Sequence, residues 1–239
     1  MSRKSELPLV SCIIAVFNGE AYLHEAIDSV LTQQYPKVEV IVVNDGSTDG
    51  TSSIIARYGD RVCAVNQAHA GVSAARNCGV EFSTGELLSF LDADDRLDSR
   101  KIATQVAVFA ADPQLEFCDC HTSFFWSPEI LAEARERDFR HASPFWQEAL
   151  PGHISGWLFR RQLWRRVGGF SPSMRYSEDT DWFSRACDLP MRRLTLADVL
   201  THRRLHPDNV TARSRDEQIS SLSQMFKAHL NRARSRAAD

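Results

Sequence analysis

Leu87-Leu88-Ser89-Phe90-Leu91 runs straight into Asp92-Ala93-Asp94-Asp95, and this junction decides the fold. The apolar run has the length of a buried strand and is far too short for a membrane helix. Residues two apart on an extended chain point the same way, so Asp92 and Asp94 can face one point. Open α/β sheets bind ligands at the C-terminal edge of their parallel strands. Three carboxylates gathered there repel one another without a partner. A hard divalent cation carrying phosphate oxygens is a suitable one, because Mg²⁺ is often held by one or two carboxylates plus substrate phosphates. Asp is also a good helix N-cap, so the quartet reads equally as a solvated turn that starts a helix. The run alone does not choose between them.

Upstream, strand and helix patterns alternate. Val10-Ser11-Cys12-Ile13-Ile14-Ala15-Val16 reads as a first buried strand and is broken at Asn18-Gly19. Leu23, Ala26, Ile27, Val30 and Leu31 then recur at helical spacing. Val38 to Val43 is a second strand, Ser47 to Asp49 can start a helix carrying Ile54 and Ile55, and Val62 to Val65 is a third strand. Gly71 precedes a helix with Val72, Ala75, Gly79 and Phe82 on one face, and Gly85 turns the chain into the Leu87 strand. This β-α-β-α-β-α-β order argues for an α/β domain with a mainly parallel central sheet, flanking helices and right-handed crossovers.

Downstream, Asp98-Ser99 can cap a helix whose inner face carries Ile102, Val106 and Phe109, ended by Asp112-Pro113. The second half is less regular. Phe117 to Phe125 and Ile154 to Phe159 read as strands, and a short helix runs through Leu163 and Val167 to Gly168-Gly169. Leu194 to Leu200 is a further strand, and Glu129 to Arg140 reads as an exposed, charged helix. From Asp216, Ile219, Leu222, Phe226 and Leu230 fall at helical spacing among Lys227, Arg232, Arg234 and Arg236. That pattern suits an amphipathic helix docked on its own domain or lying on a membrane surface.

Composition narrows the function classes. The 239 residues, 43% hydrophobic and 25% charged, are ordinary for one soluble globular domain. A formal net charge of −3 gives no global attraction to nucleic acid or anionic lipid. No apolar stretch approaches the roughly 20 residues of a membrane span. The first residues, Met1 to Glu6, lack a signal-peptide core. Several of the six cysteines sit inside apolar runs, and Cys118-Asp119-Cys120-His121 has no second ligand pair at finger spacing. Reduced thiols in the cytoplasm are the expectation.

Taken in order, several segments carry a resemblance. They are Val10 to Asn18, Val42-Val43-Asn44-Asp45-Gly46-Ser47-Thr48-Asp49, Gly71-Val72-Ser73-Ala74-Ala75-Arg76-Asn77, Phe90 to Asp95, and Gly168-Gly169-Phe170 with Ser177-Glu178-Asp179-Thr180-Asp181-Trp182. Across roughly residues 8–212 the chain resembles the family 2 inverting glycosyltransferases of GT-A fold. The resemblance implies one Rossmann-like GT-A domain over 1–215, with a donor half about 8–112 and an acceptor and base half about 113–215, followed by the helix and tail 216–239.

It also implies the chemistry. The donor is a sugar nucleotide, most often a UDP-sugar, bound by Ala15, Val16, Phe17, Asn18, Glu20, Asp45, Arg76, Asp92, Ala93 and Asp94. Within that set, Asp45 accepts the uracil imide N–H and Arg76 meets the base or phosphates. Asp92 contacts ribose or the water shell of the metal. Asp94 ligates Mn²⁺ or Mg²⁺, with His206 as a further ligand or phosphate donor, and Arg204 reaches toward the diphosphate. Asp95 is a helix-start or loop residue and the carboxylate expected to tolerate change best. Asp179 is the general base, with Asp181 its competitor, and Glu178 orients structure or acceptor. Trp157 and Trp182, with Trp146, are candidates for an acceptor platform.

The Gln-x-x-Arg-Trp motif of the family's processive members is missing, which implies a single-transfer enzyme. The acceptor stays open between a glycan, a lipid-linked glycan, a peptide and a small molecule. Two rivals are disfavoured. A sugar-nucleotide pyrophosphorylase needs a Gly-rich basic loop where Phe17-Asn18-Gly19-Glu20 stands, and a dinucleotide-binding dehydrogenase needs Gly-x-Gly-x-x-Gly. A retired transferase that only binds nucleotide or a partner is the non-enzymatic alternative.

Overall fold

The computed structural model describes residues 7–127, 149, 152–174 and 176–206. The helices expected at Glu129–Arg140 and beyond Asp216, together with Trp146, lie outside them. The donor half alternates as expected: β1 Val10–Val16, α1 Leu23–Leu31, β2 Val38–Asn44, α2 Thr51–Ala56, β3 Cys63–Asn66, α3 Val72–Phe82 and β4 Leu87–Asp92. There follow β5 Arg96–Leu97, α4 Lys101–Ala111, β6 Phe117–Trp126, β7 Leu158–Arg160, α5 Arg161–Val167, α6 Glu178–Cys187 and β8 Arg193–Leu205. They build one sheet in the order β3-β2-β1-β4-β7-β6-β8-β5. β3, β2, β1 and β4 are mutually parallel, while β7 runs antiparallel to both β4 and β6.

The central strands are apolar on both sides because helices cover both faces. Alternate residues of β1 divide between two cores. Ile13 joins Phe90, the α3 residues Ala75 and Val80, and Trp182 of α6, whereas Cys12 and Ile14 join Leu23, Ala26, Ile27 and Val30 of α1. A third core, under α4, holds Ile102, Val106 and Phe109 against Cys118 and Leu158. At Gly79 a Cβ would stand 2.4 Å from Ile13 Cγ2, so glycine lets α3 lie against the sheet.

Three local expectations are corrected. The helix after β2 begins at Thr51 rather than at 47–49. Ser47 and Asp49 instead accept the backbone N–H groups of Asn18 and Glu20, which ties their loop to the one after β1. The stretch expected as a strand from Ile154 opens with a single 3₁₀ turn, Ile154–Gly156, and only Leu158–Arg160 pairs in the sheet. At Gly156 a Cβ would meet Asp119 Oδ1 at 2.6 Å, so the turn packs directly on β6. Finally, two-residue β5 pairs antiparallel with β8, through Arg96 with His202 and Leu97 with Thr201, where the sequence shows no strand pattern.

Candidate functional site

Register builds the site. Ala15 pairs with Asp92 and Val16 with Asn44 at the C-terminal ends of neighbouring parallel strands. Asp45, one residue past β2, therefore opens on the same edge as Asp92 to Asp95. The loops above are braced against each other. Asn18, at φ 52°, accepts the Thr48 N–H through Oδ1 at 2.8 Å, and Glu20 accepts the Gly50 N–H at 2.9 Å. The sequence places both side chains on the nucleotide; here they join the two loops.

Asp45 is 2% exposed, and its carboxylate is surrounded by donors. Gln67 Nε2 lies at 2.7 Å, the Ala70 and Gly71 N–H groups at 2.8 and 2.9 Å, and His69 Nδ1 at 2.9 Å. It organises the loop into α3 by accepting the N–H groups of Ala70 and Gly71, the two residues that precede the helix.

Arg76, expected to meet the base or phosphates, is buried between two carboxylates. One guanidinium nitrogen, Nη2, donates to Asp92 Oδ1 at 2.6 Å, and the other, Nη1, donates to Glu178 Oε1 at 2.5 Å. α3 packs on β1 and β2, where Gly79 meets Ile13 and Val43, and from there the long side chain of Arg76 reaches both carboxylates. Burial opposes the Arg76 charge, but Asp92, Glu178 and Asp179 more than offset it and push its pKa up. Burial likewise raises the Asp92 carboxyl, yet Arg76 and His153 leave it below the ordinary range. Glu178 stays raised, because burial and Asp179 together outweigh Arg76.

Asp94 points elsewhere. Its Oδ2 lies 2.9 Å from His206 Nε2, and both side chains keep some exposure. The two ligands that the sequence assigns to a metal thus meet, although they are far apart in the chain. In an octahedral shell with bonds of ~2.1 Å, neighbouring ligand atoms sit about 3 Å apart, so this pair fits a shared hard cation. Among the described residues Asp92, Asp95 and His153 also gather, their ligand atoms within 4.8 Å of one another. Asp95 already accepts the Arg204 N–H at 2.9 Å and the Ser155 hydroxyl at 3.3 Å, which makes it the poorer cation ligand.

Asp95 is therefore not the expendable member of the quartet. It is 1% exposed, and its carboxyl is pushed well above the ordinary range by burial and by Asp94 and Asp92. Asp95→Ala is expected to lower unfolding stability by about 1–3 kcal/mol, since it strands two buried donors. Asp95→Asn, which keeps an acceptor, should lose less; denaturant melts of the two variants check this. Arg204 lies beside the quartet: its Nε donates to the Asp94 carbonyl at 3.1 Å, its Nη2 reaches Glu25 at 2.8 Å, and its guanidinium lies over the Tyr22 and Phe125 rings.

His153 escaped the sequence reading. Its Nε2 is 3.6 Å from Asp92 Oδ2 and its Nδ1 3.8 Å from Asp95 Oδ2. Burial pushes its pKa down, against the pull of Asp92. No spacing signal in the sequence links it to the Asp quartet; only the 3₁₀ turn carries it there.

Glu178 and Asp179 open α6, after Ser177 in a left-handed conformation at φ 60°. Neighbouring side chains diverge, so Glu178 turns inward to Arg76 while Asp179 stays part-exposed at the crevice. Asp179 Oδ1 accepts the Thr180 N–H at 2.6 Å; among the described residues no hydrogen bond reaches Oδ2. Its competitor Asp181 is 6% exposed and paired with Arg185 at 2.8 Å. Trp157 and Trp182 are 2% and 0% exposed. They pack on each other at 5.8 Å, and Trp182 Nε1 donates to the Gly168 carbonyl. The expected acceptor platform is core here, because Gly168 to Phe170 and α5 close over it.

Comparison with known proteins agrees with this architecture. Residues 11–168 match the model of "Glycosyl transferase family 2". An uncharacterized glycosyltransferase of Rickettsia typhi is 33% identical over 194 residues, covering 77% of this chain and 60% of the relative. The chain therefore spans about 60% of the length of that relative. Chondroitin synthase of Pasteurella multocida is 28% identical over 234 residues, 95% of this chain and 24% of the synthase. Among solved structures, the mannosyltransferase PcManGT of Pyrobaculum calidifontis, in complex with GDP-Man and Mn²⁺, aligns with a TM-score of 0.69 at 24% identity, covering 95% of this chain and 65% of that one. S. aureus TarS in complex with UDP aligns at 0.64 and 18%, covering 95% and 72%. At these identities the structural matches speak for the fold, which is GT-A. The family model covers well over half of the sequence, and the chain belongs to glycosyl transferase family 2.

Proposed function

We propose that this chain is the catalytic domain of an inverting, metal-dependent, non-processive glycosyltransferase that moves a sugar from a nucleoside-diphosphate donor, in the first instance a UDP-sugar, to a hydroxyl or other nucleophile of its acceptor. One observation carries the reading. Arg76 joins Asp92, at the donor edge of the sheet, to Glu178, the immediate neighbour of Asp179. The expected donor site and the expected base are thereby held at one crevice by a buried ion-pair network. That TarS was solved with UDP, and PcManGT with GDP-Man and Mn²⁺, supports the donor class and the metal.

In this reading Asp94 and His206 would hold Mn²⁺ or Mg²⁺, which would supply positive charge for the departing diphosphate. Asp179 takes the proton of the acceptor hydroxyl as its oxygen attacks the anomeric carbon from the face opposite the leaving group. The new carbon–oxygen bond forms as the bond to the diphosphate breaks, and the proton ends on the Asp179 carboxylate. Arg76 fixes the distance between the halves and keeps Asp92 ionised. No described helix is long and apolar enough to cross a membrane. All six cysteines are free, which suits action in the cytoplasm.

Purified protein with Mn²⁺ and a panel of UDP- and GDP-sugars, followed for nucleoside diphosphate release, tests the proposal. Release with one or a few donors, abolished by EDTA and restored by added Mn²⁺, is expected. His206→Ala should weaken activating Mn²⁺ about 10-fold or more without unfolding the chain. Absence of both release and EDTA-sensitive nucleotide binding would sink the transferase reading.

A further inference from the structure

His69 stands beside Asp45 and outside every role considered so far. Its Nδ1 lies 3.1 Å from the Asp45 carbonyl oxygen and 2.9 Å from Asp45 Oδ2. Both partners can only accept from it, so Nδ1 carries the proton. In the neutral ring Nε2 is then an acceptor. Among the described residues nothing bonds to it, and the side chain is 56% exposed. The ring is held once more, against Phe17 at 4.1 Å between centroids. Gly46, at φ +74°, lies so close that a Cβ there would stand 2.8 Å from the His69 backbone nitrogen, so glycine lets the two loops approach. Phe17 itself is 47% exposed, an unusual position for a phenylalanine. His69 also lines a cavity of about 400 Å³ with Ala70 to Ser73 and Pro172 to Met174. That volume suits a small planar ligand.

Asp45, by contrast, has little left to offer. Both of its carboxylate oxygens already accept hydrogen bonds from the loop into α3. We propose that His69 is the base-reading residue of this chain: its imidazole, fixed by Asp45 through Nδ1, accepts through Nε2 the ring N–H of a uracil or guanine base. Asp45 then acts on the base through His69, by setting the tautomer, rather than by touching the base. Uracil N3–H and guanine N1–H can be read this way; adenine and cytosine carry no proton on the corresponding ring nitrogen. The inference rests on the transferase reading and narrows the donor to the uridine or guanosine class.

The test is calorimetry on the full chain with Mn²⁺ and UDP, GDP, ADP, CDP, N3-methyl-UDP and N1-methyl-GDP. UDP or GDP is expected to bind best, and methylation of its ring nitrogen to weaken binding about 10-fold or more, the worth of one hydrogen bond. His69→Phe keeps an aromatic ring beside Phe17 and removes the acceptor, so the methylation penalty should fall to within about 2-fold. His69→Gln, which restores an acceptor oxygen, should recover part of it. A penalty undiminished in His69→Phe would overturn the inference and return the N–H to Asp45. Strongest binding of ADP or CDP would overturn it as well. If wild type bound none of the diphosphates, the transferase reading would fall and this inference with it.

Discussion

Asp179→Asn is expected to lower kcat by about 10²–10⁴-fold, the usual contribution of a positioned general base, while the donor Kd stays within about 2-fold of wild type. The geometry explains why the two effects should separate. Asp179 Oδ1 accepts the Thr180 N–H inside the first turn of α6, and an asparagine oxygen can take over that bond. The other carboxylate oxygen is the one available to a proton. Asparagine replaces it with an amide that has no basic lone pair, at almost no cost in shape or packing. Glu178 still meets Arg76, so the donor edge stays in place. Single-turnover transfer measured beside donor titration checks the split. An equal loss of donor affinity would place Asp179 in the nucleotide site and leave the base to be found elsewhere.

Arg76→Met should be the most damaging single change to the fold. It removes the cation from two carboxylates and leaves Asp92 and Glu178 facing each other in a buried corner. Breaking a buried ion pair from one side costs about 3–5 kcal/mol, which in a chain of this size corresponds to a fall in Tm of roughly 6–20 °C. Methionine keeps much of the volume, so the loss reports on charge rather than on a cavity. Arg76→Lys is expected to recover only part of it, since one ammonium cannot reproduce two donors set in a planar fork. Adding Glu178→Gln to Arg76→Met should restore several degrees by removing one of the stranded charges. Thermal melts of the three variants decide this. If Arg76→Met melted within 2 °C of wild type, the bridge would be ornamental, and the coupling of the two halves would need another source.

The donor half was legible because each of its elements buries apolar residues at a period that only one secondary structure has. β1 and β4 read as buried strands and α1 as an amphipathic helix, and Asp94 and His206, given one role by the family resemblance, do lie in contact. What was illegible depends on partners distant in sequence. Arg76 among small residues looks like a ligand-facing arginine until Glu178 is known to lie across from it. Trp157 and Trp182 look like a platform until Gly168 to Phe170 are seen to close over them. Asp95 looks like a cap because its two donors, Ser155 and Arg204, come from far along the chain. His153 carries no pattern at all; it reaches Asp92 only because Gly156 lets a short turn press against β6.

The Arg76–Glu178 contact spans 102 positions of sequence, and that separation has a kinetic side. Closing so long a loop is slow and yields nothing until it is complete. During synthesis Arg76 leaves the ribosome long before Glu178 and Asp179 exist, so the first four strands can assemble with that corner still open. Refolding should accordingly show two clocks, an early one for backbone structure and a later one for the recovery of turnover. A chain arrested between them would be largely folded by circular dichroism and have no activity.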